Sequence, residues 1–219
     1  MIEQETGHFE RFHDPSRVLA LCDGVCAIII TLLVLEVHVP DQLHTGESLL
    51  GALSAIRPSL VSFLISFVVV AIAWVGHRDL FSVIKRADRT LVWLSVLYLL
   101  PLCLLPFGAS LIARYPSDAV ALRIYSVLLI AIAATRCAIW IYATGRSDLL
   151  HDPIDRQFRR AGILVAVGPA LAYLLAFAIA DVAPVGSMTI FIAVPVGYFV
   201  AISLARSSSP RDSAERDMT

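Results

Sequence analysis

Long apolar stretches separated by short polar segments make up most of this chain. Six stretches have the length to span a membrane as helices: roughly residues 18–39, 54–76, 90–113, 119–144, 160–181 and 184–205. About 20 apolar residues in a helix match the hydrocarbon thickness of a bilayer. The pattern therefore predicts an all-α membrane protein with six transmembrane helices per subunit.

Two local features refine this prediction. Pro101 and Pro106 fall inside the third stretch, and proline removes a backbone donor and crowds the preceding turn of a helix. A kink or break is therefore predicted there. Only residues 181–184 separate the fifth stretch from the sixth, which predicts that these two helices pack as an antiparallel pair.

Composition supports the membrane assignment. The 219 residues are 58% hydrophobic and 16% charged, with a mean hydropathy of +0.79, whereas soluble domains carry about 25% charged residues. The net charge of −1 offers no basic surface for nucleic acid. We divide the chain into a polar N-terminal segment at 1–16 without a signal-peptide pattern, a transmembrane domain at 17–206 and a tail at 207–219 predicted to be disordered.

The basic residues predict the orientation, because cytoplasmic loops carry an excess of Lys and Arg. Most of the 17 lie in alternate loops and at the termini: Arg11, Arg17, Arg78, Lys85, Arg86, Arg89, Arg146, Arg156, Arg159, Arg160, Arg206, Arg211 and Arg216. The opposite loops hold only Arg57 and Arg114. Both termini are therefore predicted to be cytoplasmic.

The first span carries two carboxylates, Asp23 and Glu36, separated by twelve uncharged residues. Twelve helical residues rise about 18 Å, against about 30 Å of hydrocarbon. At least one carboxylate should therefore lie at membrane depth, where it must face protein or a water-filled cavity. A helix of this kind is expected to line a path through the membrane.

An apolar stripe follows from helical spacing in the same span. Ile28, Leu32 and Leu35 lie at i, i+4 and i+7, with Thr31 beside them. Their neighbours are also apolar, so ordinary helix packing is one interpretation. In the other interpretation several copies of the helix surround an axis, and the stripe forms hydrophobic rings that gate by dewetting.

Polar groups at the two ends of the first span have two interpretations each. Arg17 and Asp23 are six residues apart and do not share a helix face, so each needs a partner from another span. A polar lock among Arg17, Asp23, Trp74 and His77 is one interpretation, and Asp23 simply favouring the helix dipole is the other. Glu36, His38 and Asp41 can form an acidic outer mouth in an assembly, or a solvated helix end.

Several other chemistries find little support. The chain contains no GxSxG, HExxH or P-loop pattern, so no enzymatic activity and no cofactor are expected. Cys22 and Cys26 share a helix face without a second ligand pair in sequence, and we interpret them as buried small apolar residues rather than metal ligands. Arg136 lies deep in the fourth span and is expected to be paired.

Three segments carry a family resemblance. The first span reads Arg17, three residues, then Leu21-Cys22-Asp23, a Gly and an Ile/Leu run with Thr31; residues 74–81 read WVGHRDLF, and residues 104–107 read LLPF. Together they resemble the transmembrane protein 175 family, which comprises endosomal and lysosomal potassium channels and shorter prokaryotic relatives. The family signature has Phe where Leu21 stands and Ser where Cys22 stands.

The resemblance implies a potassium-preferring homotetrameric channel in the plasma membrane of a prokaryote, with K⁺ and other monovalent cations as its permeant ions and membrane lipid around it. It implies that Ile28 forms the pore constriction, followed by rings of Leu32 and Leu35, and that Thr31 supports selectivity with Trp74 as its partner. The alternatives are a secondary transporter that couples through Asp23 or Arg136 and a membrane scaffold that conducts nothing.

Overall fold

A computed structural model describes residues 14–38, 48–152 and 154–207. These residues are helical apart from connecting turns and an isolated antiparallel bridge between Ile84 and Leu150. The α-helices are α1 (Pro15–Val34), α2 (Leu49–Ala55), α3 (Arg57–Phe81), α4 (Arg89–Cys103), α5 (Leu105–Arg114), α6 (Ala119–Thr144), α7 (Arg156–Ile179) and α8 (Pro184–Ser207), with a 3₁₀ turn at Ser147–Leu149.

Among the described residues, five segments are long and apolar enough to cross a membrane, and they agree with the first five predicted stretches: α1, α3, α4 together with α5, α6 and α7. A shorter apolar helix follows at Pro184–Val200. Most of the terminal segments predicted at 1–16 and 207–219 lies outside the described residues.

Three of the spans begin with an aspartate whose side chain caps the helix. Asp14 accepts the backbone N–H of Ser16, and this hydrogen bond lowers the pKa of the exposed Asp14 carboxyl. Asp88 accepts the N–H of Leu91 at the start of α4, and Asp118 accepts two N–H groups at the start of α6. Each carboxylate satisfies backbone donors that have no partner inside the helix.

The predicted break in the third stretch is confirmed. The helix is interrupted at Leu104, between Pro101 inside α4 and Pro106 in the first turn of α5. A methyl group added at Gly108 would lie 2.7 Å from a Leu128 side-chain carbon and 3.0 Å from the Tyr125 ring. The glycine therefore allows α5 to approach α6 closely after the break.

The predicted antiparallel pair of α7 and α8 is also confirmed. The Ala183 N–H donates to the Ile179 carbonyl at 2.8 Å, which closes the tight turn. The buried Ser187 hydroxyl donates to the Ala176 carbonyl at 2.7 Å and joins the two helices. Asp181, in the turn, forms an ion pair with Arg123 of α6.

The loops before α4 and after α6 are tied together. The Lys85 N–H donates to the Leu149 carbonyl at 2.7 Å. Asp88 accepts hydrogen bonds from the Tyr142 hydroxyl and from Arg146. The Tyr142 hydroxyl raises the pKa of Arg146, with smaller contributions from Asp148 and Asp88. This network holds the ends of α4 and α6 side by side.

Two boundaries differ from the predicted ones. α1 ends at Val34 rather than near residue 39, and Leu35 and Glu36 continue as a turn with i to i−3 hydrogen bonds. A short helix, α2, precedes α3, and a break at Ile56 separates them. The hydropathy pattern did not distinguish this short apolar helix from the start of the second span.

Candidate functional site: the first helix and its partners

α1 has one face packed in the subunit and one face free of it. The buried residues face α3, α4 and α5 and are Val18, Cys22, Cys26, Ile29 and Leu33. On the opposite side, Ile28 is 59% exposed, Leu32 44% and Leu35 63%. The predicted stripe therefore lies on the surface of the subunit and not in its core.

The exposed face extends along the whole helix. Gly24 and Leu21 lie one and two turns before Ile28 and are also exposed, and nothing lies within 4 Å of a methyl group built at Gly24. Thr31 is exposed beside Leu32, and its hydroxyl donates to the Ile28 carbonyl at 2.8 Å. This local bond satisfies the one polar side chain among these apolar neighbours.

A hydrogen bond at membrane depth joins α1 to α3. The indole N–H of Trp74 donates to a carboxylate oxygen of Asp23 at 2.6 Å, and both residues are partly buried. Asp23 lies eight residues after the start of α1, which corresponds to about 12 Å of helix. The carboxylate therefore has a charge-assisted partner where lipid would provide none.

Cys22 and His77 form a second polar contact between the same helices. The Cys22 sulfur lies 3.7 Å from His77 Nε2, in the position that the family signature gives to a serine. His77 is buried and stacks against Phe81 and Tyr98, with ring centroids 4.4 Å and 5.3 Å apart. Its Nδ1 has no hydrogen-bond partner among the described residues.

Two expected pairings are not among the contacts that the structure describes within one subunit. Trp74 reaches Asp23 rather than Thr31, because these two positions on α1 are eight residues, or about 12 Å, apart. Arg17 is exposed, on the side of α1 that carries Ile28, and no carboxylate of the described residues pairs with it. The roles of Arg17 in the polar lock and of Thr31 in selectivity stay predictions.

The predicted outer mouth is described only in part. Glu36 is half-buried just beyond the end of α1, and the ring of His38 lies 3.2 Å from the Glu36 carbonyl oxygen. Asp41 lies outside the described residues. Cys22 and Cys26 are both buried, and no group of three potential metal ligands occurs in the described part of the chain.

The sequence identified Arg136 as a charged residue deep in a predicted span, but it did not identify the residues around it. No carboxylate of the described residues forms an ion pair with it. Its guanidinium lies 5.9 Å from the centre of the Tyr198 ring and directly over Gly76, where a methyl group would approach to 2.9 Å. Only the packing of α3, α6 and α8 brings these residues together.

These features define a class: an all-helical membrane protein whose first helix is fixed to the third by polar contacts and presents an apolar stripe outside the subunit. The family model for the endosomal/lysosomal potassium channel TMEM175 matches residues 17–106. A potassium channel of Streptomyces collinus is 35% identical over 68% of this chain and 74% of that protein. The chain belongs to the TMEM175 family.

A second relative extends the match to nearly the whole chain. A potassium channel of Chamaesiphon minutus is 32% identical over 90% of this chain and 96% of that protein. A crystal structure from the same organism, of a lysosomal potassium-selective channel TMEM175 homologue, superposes on this chain with a TM-score of 0.73. The two chains are 29% identical, and the match covers 89% of this chain and 98% of that chain. The fold described above is thus the fold of this family.

Proposed function

We propose that this protein is a potassium-permeable cation channel. The observation that carries the proposal is the exposed stripe of Ile28, Leu32 and Leu35 on α1. The relatives from Streptomyces collinus and Chamaesiphon minutus, both named potassium channels, support the choice of ion.

The channel is proposed to be a homotetramer of six-span subunits in the plasma membrane of a prokaryote, with both termini cytoplasmic. α8 supplies the sixth span, since its Pro184–Val200 portion is apolar and packs antiparallel to α7. In the proposed assembly the face of α1 that carries Ile28, Leu32 and Leu35 is turned toward a shared axis, where these exposed side chains line a path instead of contacting lipid. Four copies of α1 then surround the pore.

The polar contacts with α3 set which face of α1 meets the axis. Successive residues of an α-helix are 100° apart, so a rotation by one residue would replace Ile28 with a neighbour. The Asp23–Trp74 and Cys22–His77 contacts lie on the side of α1 that faces its own subunit. We propose that they hold the helix so that Ile28 forms the constriction, with Leu32 and Leu35 forming the next rings.

An apolar constriction can favour potassium because K⁺ gives up hydration water more easily than Na⁺. Rings of Ile and Leu offer no oxygen ligands, so an ion must shed part of its shell to pass. The local hydrogen bond of Thr31 to the Ile28 carbonyl leaves the hydroxyl's lone pairs free to accept a bond near the constriction. Thr31 is proposed to support selectivity in this way.

Recording from purified protein in planar bilayers, with K⁺ on one side and Na⁺ on the other, tests the proposal. A channel gives currents that reverse at a potential displaced toward that of K⁺ and need no coupled ion. Currents that require a proton or sodium gradient would indicate the secondary transporter, and the absence of any flux would indicate a scaffold. The mass of the purified complex tests the tetramer separately.

A further inference from the structure

A second region of interest is a cavity between α3, α6 and α7. It is enclosed by the C-terminal halves of α3 and α6 and the N-terminal half of α7, with a volume of about 240 Å³. One water needs roughly 10–15 Å³ on this kind of measure, so the space suits a larger polar group. Arg136 lies in its wall, and Trp140 and Phe158 flank it.

The charge in this cavity has no carboxylate partner among the described residues. Arg136 lies eight residues before the end of α6, about 12 Å along the helix, and no carboxylate of the described residues pairs with it. An arginine at such depth is normally paired or reaches toward the interface. Its guanidinium rests over the Gly76 backbone, so that the positive charge faces the cavity and not a protein carboxylate.

A negative charge lies at the outer edge of the same cavity. Asp79 is exposed and lines it, one helical turn, or about 4.5 Å, beyond Gly76 toward the end of α3. Under the proposed orientation this is the direction of the cytoplasmic surface. The cavity is therefore positive at depth and negative near the surface, an order that suits a dipolar ligand.

An apolar slot continues from Arg136 toward the middle of the membrane. It is smaller, about 60 Å³, and shares Arg136, Val165 and Ala166 with the outer cavity. Its walls include Ile132 and Pro169, and it is almost entirely apolar. The two spaces together form a groove that is apolar inside, positive in the middle and negative outside.

We propose that this groove binds a phospholipid of the cytoplasmic leaflet whose headgroup ends in an ammonium, such as phosphatidylethanolamine. The phosphate contacts Arg136, the ammonium contacts Asp79, and an acyl chain enters the slot beside Ile132 and Pro169. The order of apolar, anionic and cationic groups along such a lipid, from the membrane centre outward, is complementary to that of the groove. The membrane orientation used here rests on the proposed function.

Lipid titration of the purified protein, followed by native mass spectrometry, tests this proposal. The wild-type protein is expected to retain phosphatidylethanolamine in preference to phosphatidylglycerol, which has no ammonium. Arg136→Gln should weaken phosphatidylethanolamine binding about tenfold or more, because a charge-assisted hydrogen bond contributes about 1.5–3 kcal/mol and 1.4 kcal/mol is a factor of ten. Asp79→Asn should abolish the preference between the two lipids.

Two further variants provide controls. Arg123→Gln removes a positive charge from the same helix at its other end, where Arg123 pairs with Asp181, and should leave lipid retention unchanged. Gly76→Ala displaces the guanidinium without changing any charge and should weaken retention. If Arg136→Gln does not fold, Asp79→Asn still tests the proposal, because this side chain is exposed and its replacement leaves the core intact.

Equal retention of the two lipids by the wild type, or equal behaviour of Arg136→Gln and Arg123→Gln, would overturn the proposal. The proposal would also be overturned if added lipid did not bind at all. That result is expected if another copy of the chain covers the groove. The measurement involves no ion gradient. A protein that binds lipid in this way but carries no current would contradict the proposed channel while supporting the lipid site.

Discussion

The indole N–H of Trp74 and the carboxylate of Asp23 are 2.6 Å apart and join the first and third helices. The contact lies on the side of α1 opposite to the exposed stripe, next to the Cys22–His77 contact. It provides Asp23 with a donor at membrane depth and fixes the rotation of α1 against the rest of the subunit. The proposed pore face therefore depends on a bond that no permeating ion touches.

We predict that Trp74→Phe and Asp23→Asn each lower the thermal stability of the protein and that their effects are coupled. Loss of a hydrogen bond to a charged group costs about 1.5–3 kcal/mol, and Trp74→Phe also leaves the carboxylate without its donor. A double-mutant cycle measured by thermal unfolding in detergent should give a coupling of about 1–2 kcal/mol. Additive effects would show that the two residues do not support one another.

We predict that Ile28→Asn increases conductance and reduces discrimination between K⁺ and Na⁺. An amide at the narrowest point attracts water, so ions cross it with more of their hydration shell. Reversal potentials under bi-ionic conditions measure the effect. The matched control is Leu97→Asn, which introduces the same side chain at an exposed position of α4; if the two variants change selectivity alike, Ile28 is not the constriction.

We predict that Glu36→Gln lowers potassium conductance at low salt and has little effect at high salt. Four carboxylates near the outer end of the pore would concentrate cations there. The Debye length falls from about 30 Å at 0.01 M to about 3 Å at 1 M salt, which removes this attraction. Single-channel conductance of the wild type and the variant is measured over that range of salt, and the values at high salt serve as the control. A reduction that persists at 1 M would indicate a structural defect instead.

We predict that Asp88→Ala destabilises the protein more than Asp118→Ala. Both substitutions remove a helix N-cap, which costs about 1 kcal/mol. Asp88 additionally accepts hydrogen bonds from Tyr142 and Arg146, so its loss also separates the loops that follow α3 and α6. Thermal unfolding of the two variants in the same detergent compares them directly. Equal losses would mean that the loop network contributes nothing measurable.

We predict that Gly108→Ala destabilises the protein by about 1–3 kcal/mol, because the added methyl group meets Leu128 and Tyr125 at the contact of α5 with α6. Gly168→Ala is the control, since nothing lies within 4 Å of a methyl group at that position of α7. It should be neutral or slightly stabilising, because alanine favours helix by about 0.5–1 kcal/mol relative to glycine. Thermal unfolding distinguishes the two variants.

The sequence predicted best those properties that depend only on residues close together along the chain. The apolar lengths predicted the five candidate spans, and Pro101 and Pro106 predicted the interruption found at Leu104. The depth of Asp23 and Trp74 predicted that they could meet. Only the structure shows that Asp23 bonds to Trp74 within the proposed lock, because depth fixes position along a helix axis but not the direction of a side chain.

The amino-acid sequence by itself determined that the chain is a helical membrane protein, that its third span is interrupted between two prolines, and which apolar segments contain charged residues. The tertiary structure alone decided which face of α1 stays outside the subunit and what surrounds Arg136. After Asp23, α1 is apolar on nearly all sides, so this part of its sequence offers little contrast from which a buried face could be read. That face is selected by the shapes and polar groups of α3, α4 and α5, which come from distant parts of the chain.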